Sequence, residues 1–187
     1  MLDEKLAGKK VGILAKDGFE QRELTECKKA LLEMGAEVDI ISLEPGSIMS
    51  WDKAHWGMEV KVDKTLEDAR SRDYDALIIP GGHFNPGALL HDEQALNFVK
   101  GFFDSRQPKP VAAIREGTLM LVEAGVVSGR IVTAYANAKS QLHCSNAKLL
   151  DEDIVIDNGL LTSRCSDKLH MINQRFIEEI RHTQTHC

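Results

Sequence analysis

Residues 110–125, Pro110-Val111-Ala112-Ala113-Ile114-Arg115-Glu116-Gly117-Thr118-Leu119-Met120-Leu121-Val122-Glu123-Ala124-Gly125, decide how this chain folds. Pro110 to Ile114 is an apolar run opened by proline, the pattern of a strand buried on both faces. Thr118 to Ala124 is strongly apolar and reads as helix, and Gly125 caps it. Arg115-Glu116-Gly117 joins the two without a linker. A strand running straight into a helix through a small-residue turn is a nucleophile-elbow arrangement. Its first turn residue is held in strained backbone and points out of the sheet. Amides at the helix start can stabilise an oxyanion there. By spacing alone the elbow signal is weak, and the junction fits better an ordinary tight turn with Arg115 in solvent.

The pattern continues on both sides of this stretch. Val11 to Ala15 reads as a buried strand, and Asp17-Gly18-Phe19-Glu20 as a turn. Leu24, Cys27, Leu31 and Met34 fall at helical spacing before Gly35. Ala36 to Ser42 is a second strand, so the chain opens strand–helix–strand, the unit of a parallel sheet. Residues 44–69 are irregular and carry Trp51, Trp56 and the alternating Met58 to Val62, which predicts an insertion with a small β element. Tyr74 to Ile79 is a strand broken by Pro80-Gly81-Gly82, and Asp92 to Phe103 a helix. Arg130 to Tyr135 reads as a strand. Asp157-Asn158-Gly159 predicts a hairpin between Asp153–Ile156 and Leu160–Ser163. A last helix, Asp167 to Arg181, has Leu169, Ile172, Phe176 and Ile180 as its apolar stripe. The expectation is an α/β fold, one domain over residues 1–187 with residues 1–8 flexible, built on a mostly parallel sheet sandwiched by helices. Ligands of such sheets bind beyond the carboxyl ends of the strands, here the loops 17–20, 80–85 and 115–117.

A net charge of −6 argues against nucleic acid or an anionic membrane surface as partner. No apolar run approaches the roughly 20 residues that span a bilayer, and the polar Met1–Lys10 predicts no signal peptide. The expected compartment is the cytoplasm. Cys27, Cys144, Cys165 and Cys187 make no C-x-x-C pair and have no zinc-finger spacing, so reduced thiols, no metal and no cofactor are expected.

Six stretches, in order, resemble the ThiJ/PfpI family: KKVGILAKDGFEQREL, AEVDIISLEPG, WDKAHWG before VKVD, YDALIIPGGHFNPGALL, PVAAIREGTLMLVEAGVVSGR and VIDNGLLTSRCSDKL. The Trp-Asp…Trp-Gly segment is similar to the PfpI-like branch. The resemblance implies a flavodoxin-like, class I glutamine-amidotransferase-like fold and a homodimer or higher homo-oligomer. It also implies cysteine-dependent glyoxalase, deglycase or peptidase chemistry. In that family the elbow reads Ala-Ile-Cys-His-Gly or close to it. Here Arg115 replaces the nucleophile and Glu116 the histidine. The resemblance assigns Glu20 as the carboxylate facing the elbow, and Gly81-Gly82 as the pair that offers it a backbone amide.

Arginine is neither a nucleophile nor a routine general base at pH 7. The family's catalysis is therefore expected to be absent or weak, in a stress-related pseudoenzyme. Two roles for Arg115 remain open. It can close a dead pocket through an ion pair with Glu20, or bind a small anionic metabolite together with Gly81, Gly82, Glu116 and Gly117. Cys165, beside Arg164, is the candidate for a displaced thiol that would restore hydrolase, glyoxalase or deglycase activity; its plain reading is a loop cysteine. His83 is a candidate acid/base or a rim residue. His55, between the tryptophans, is a candidate for a subunit interface, and His143-Cys144 are adjacent without making a metal site.

Overall fold

The computed structural model describes residues 5–85, 87–104 and 108–183. The chain runs β1 (Lys10–Leu14), β2 (Phe19–Glu20), α1 (Gln21–Glu33), β3 (Glu37–Ser42), β4 (Ser47–Asp52), β5 (His55–Lys61), β6 (Lys64–Thr65), β7 (Ala76–Ile79) and α2 (Glu93–Lys100). It continues β8 (Val111–Ile114), α3 (Thr118–Glu123), β9 (Ile131–Val132), α4 (Lys139–Cys144), β10 (Lys148–Leu149), β11 (Ile154–Asp157), β12 (Leu160–Ser163) and α5 (Leu169–His182).

The central sheet has seven strands in the order β11-β12-β8-β7-β1-β3-β6. Every pairing in it is parallel except the β11–β12 hairpin. Alternation along the strands divides the core between two faces. Leu14, Ile41, Leu77, Ile79, Val111 and Ala113 pack with Phe98, Phe102, Met120 and Leu121, from α2, α3 and the turn after α2. Val11, Ile13, Ile40, Ile78, Ala112 and Ile114 pack with Leu24, Cys27 and Leu31 of α1 and with Ile172, Phe176 and Ile180 of α5. This is the expected flavodoxin-like α/β sandwich. The helices of the second face reach their stripe at the spacing read from the sequence.

The insertion supplies the hairpin β4–β5, which joins β2 in a second sheet and pairs Trp51 with Trp56, while its β6 extends the central sheet. The strand expected over Arg130 to Tyr135 is not part of the central sheet. Only Ile131–Val132 is extended, paired with β10 in a separate two-stranded sheet. Its continuation is diverted because the Thr133 amide donates to the Thr162 hydroxyl, at 2.9 Å, rather than to a strand backbone. Residues 5–8, expected to be flexible, form a turn held by the fully buried Leu6, whose amide donates to the Met34 carbonyl at 2.9 Å. Residues 1–4 and Cys187 lie outside the described residues. Among the described residues no helix is long and apolar enough to cross a membrane.

The carboxyl ends of β7 and β8 meet at Gly117. A Cβ added there would stand 2.3 Å from the Ile79 carbonyl oxygen. Only glycine lets the chain leaving β8 pass so close to the end of β7. We expect Gly117→Ala to force a backbone shift costing about 1–3 kcal/mol, read as a lowered urea midpoint with an unchanged slope. A midpoint equal to that of the parent would show that the two strand ends are not held this tightly.

Candidate functional site

Arg115 begins the turn after β8, a single 3-10 turn spanning Arg115–Gly117 that leads into α3. Its φ is 51°, in the left-handed region. For a long side chain this costs about 1–2 kcal/mol, so the elbow expected from the sequence is present with arginine on it. The Thr118 hydroxyl donates to the Arg115 carbonyl and braces the turn. The guanidinium lies 5.2 Å from the centre of the Tyr135 ring, within cation–π range.

Two carboxylates meet this guanidinium. Glu116 Oε1 accepts from Arg115 Nη2 at 3.1 Å, and Glu116 Oε2 accepts from the Gly82 amide at 3.2 Å. The Glu116 carboxylate thus occupies the backbone donor expected to face the site. Gly81 makes room for it, since a Cβ on Gly81 would stand 2.5 Å from Glu116 Oε2. The second carboxylate is Glu23. Its Oε2 accepts from the Gly81 amide at 2.6 Å, and its Oε1 lies 3.5 Å from Arg115 Nη1. That last approach is within ion-pair range but does not form a hydrogen bond, so Glu23 Oε1 is a buried oxygen without a hydrogen-bond partner.

The carboxylate assigned by resemblance, Glu20, does not pair with Arg115. Glu20 ends β2 and caps α1, its Oε2 accepting from the Glu23 amide at 2.8 Å. Glu23 lies four residues before Cys27, on the same buried stripe as Leu24 and Leu31, and its side chain points inward. That spacing was the available signal, because i and i+4 share a face.

Burial pushes the Glu23 carboxyl up to about 8, against the Gly81 amide and Arg115, which favour its ionised form. It is therefore largely neutral at pH 7. For Arg115, burial works against the charge, but Glu116 and then Glu23 outweigh it and hold the guanidinium more firmly protonated than usual. Burial also pushes the Cys27 thiol up, well out of the reactive range.

The remaining candidates divide. Gly82 is fixed by an isolated antiparallel bridge to Phe19, and a Cβ on it would meet the Gly18 carbonyl at 2.2 Å. His83 is exposed and stacks on Trp51 with ring centres 5.2 Å apart, as a rim residue. It belongs to a ring cluster with Phe84 and Trp56. Cys165 is half-buried, with the Ser163 hydroxyl 2.7 Å from its carbonyl oxygen. Strands β12 and β8 are parallel, with Ser163 opposite Ile114, so the loop carrying Cys165 leaves the same sheet edge as Arg115. Its charged neighbours Arg164 and Lys168 are paired with Asp153 at 2.8 and 2.6 Å. His55 is exposed in β5, its Nδ1 3.1 Å from the Trp56 carbonyl oxygen. Cys144 is exposed at the end of α4, next to His143. Among the described residues no three His, Cys, Asp or Glu side chains cluster as a metal site. Open grooves of about 630 and 700 Å³ lie between α1 and β5 and between α1 and α5. Neither is lined by Arg115, Glu116, Gly82 or Glu23.

Residues 9–179 match the DJ-1/PfpI family. The Bacillus subtilis protein named "Putative cysteine protease YraA" is 34% identical over 173 residues, covering 92% of this chain and 99% of that protein. General stress protein 18 of B. subtilis is 34% identical over 168 residues, covering 89% of this chain and 95% of its own. A two-domain Anabaena variabilis protein with DJ-1/ThiJ/PfpI-like and ferritin-like domains superposes with a TM-score of 0.84 at 26% identity, over 92% of this chain and 48% of that one. Drosophila melanogaster DJ-1beta superposes at 0.80 with 23% identity, over 92% and 90%.

The neutral, buried Glu23 makes stability depend on pH. Below about pH 4.5 it is protonated in both folded and unfolded chains. As pH rises toward 8 the unfolded chain ionises while the folded chain does not, so this contribution to stability is lost. Glu23→Gln keeps a neutral side chain of the same shape. We expect it to flatten the decline between pH 5 and 8, and to gain about 1–3 kcal/mol over the parent at pH 8. Thermal midpoints across this range check it, and parallel profiles for the two proteins would refute it.

Proposed function

This chain belongs to the DJ-1/PfpI family, and from that premise we propose that it is a stress-related member without cysteine-dependent catalysis, whose elbow pocket binds a small anionic metabolite. The observation that carries the reading is Arg115 at the elbow with φ 51° and its guanidinium on the Glu116 carboxylate. A cation now stands where the chemistry needs a thiolate. The donors that would hold an oxyanion hold a carboxylate. General stress protein 18, as a relative, supports a role in stress. The exposed Trp56, Met58 and Phe84 support assembly as a homodimer or higher homo-oligomer, and we place the protein in the cytoplasm.

A second reading keeps an enzyme. The β12–β8 register brings the loop of Cys165 to the edge that carries Arg115, and Arg164 lies beside that thiol. A displaced nucleophile would then run hydrolase, glyoxalase or deglycase chemistry.

Methylglyoxal consumption separates the two. The parent protein is expected to be inert, and Cys165→Ser to match it. Arg115→Cys, which returns a thiol to the elbow beside Glu23, is expected to gain slow but measurable turnover. An active parent whose turnover is lost in Cys165→Ser would overturn the proposal and establish the displaced nucleophile.

A further inference from the structure

Glu116 is held as a ligand would be. One oxygen takes a guanidinium N–H at 3.1 Å and the other a backbone N–H at 3.2 Å. The side chain is 19% exposed, so part of it meets solvent. Behind it Glu23 is fully buried, with an oxygen that has no hydrogen-bond partner facing the same guanidinium. We propose that the elbow is a self-occupied carboxylate receptor, in which Glu116 is a tethered ligand that a planar monocarboxylate replaces on Arg115 and Gly82. This rests on the anion-site reading above and adds to it the ligand class and a means of control.

The class follows from the donors and the charges. A carboxylate presents two oxygens in one plane to two donors, as Glu116 does now. A dianion such as phosphate would add a second negative charge beside the Glu23 carboxyl, only 3.5 Å from the single guanidinium. Arg115 balances one negative charge, and Glu116 already supplies it. An incoming monoanion restores that balance when Glu116 swings out into water. No bond is made or broken.

Control follows from the tether. A group linked by its own side chain acts at an effective concentration in the millimolar range or above. Free carboxylates must compete with it, so the pocket answers only to ligands that are abundant or that make further contacts. The ring cluster of half-buried Trp51 and exposed Trp56, His83 and Phe84 begins one residue beyond Gly82 and offers such contacts to a ligand with an apolar group.

The test is an amide-resolved NMR titration of the intact chain with sodium acetate and, separately, inorganic phosphate at constant ionic strength, following the Gly82 resonance. Glu116→Ala is expected to bind acetate at least tenfold more tightly than the parent, with Gly82 shifting on saturation and phosphate binding more weakly. Glu116→Gln, which keeps the shape and removes the charge, is expected to fall between them. It carries the comparison if the alanine variant does not fold. Adding Arg115→Gln to the opened variant abolishes the response. Equal acetate affinity in parent and opened variants would overturn the tethered ligand while leaving an anion site. Preference for phosphate would overturn the carboxylate class. A Gly82 resonance that neither anion moves in any variant would overturn this inference and the reading beneath it together.

Discussion

A cation fixed at a strained turn sets the terms for everything around it. Arg115 has a left-handed backbone and a side chain that is only 25% exposed, so its charge is only partly hydrated. A charge in that position needs partners, and the chain supplies them from three directions. Glu116 follows it in sequence, Glu23 comes from α1, and the Tyr135 ring covers another side. The glycines answer the same demand. Gly81 leaves space for the Glu116 carboxylate, and Gly117 lets β8 turn beside the end of β7.

The arrangement explains how the elbow of the family scaffold keeps its shape with arginine in place of a thiol. An elbow stores strain, and stored strain usually marks a function. Here ion pairs and the Thr118 brace stabilise the turn without a thiolate. Burial keeps Glu23 mostly neutral, so the cluster at neutral pH is close to one cation facing one anion. A fully ionised pair of carboxylates against one guanidinium would leave an uncompensated charge below the surface.

Much of this was legible in the residues. The β1 and β8 runs are apolar on both faces, and the α5 stripe keeps its helical period, so the sandwich follows from periodicity. The elbow follows from the missing linker at Arg115-Glu116-Gly117. Two acidic residues lie one helical turn apart; the resemblance assigns Glu20, at the turn, whereas the structure sets Glu23 against Arg115. Helical phase relative to Cys27 selects Glu23. The strand expected at Arg130–Tyr135 does not join the central sheet. A short apolar run says nothing of which sheet it joins, and a single side-chain bond from Thr162 diverts this one. The grip of Glu116 on Gly82 crosses 34 positions and has no local signature at all.

The ring cluster at the rim has an optical consequence. The chain contains two tryptophans, Trp51 and Trp56, and their rings meet edge to face 5.4 Å apart. Both also contact Phe84, and Trp51 carries the imidazole of His83 on its face. The tryptophan emission of the protein therefore originates in one small patch, whose His83 follows the Gly82 amide that Glu116 occupies. Any movement of His83 or Phe84 would alter the stacking of these indoles. The molecule carries its own fluorophore against the loop that follows Gly82, and its light reports that loop.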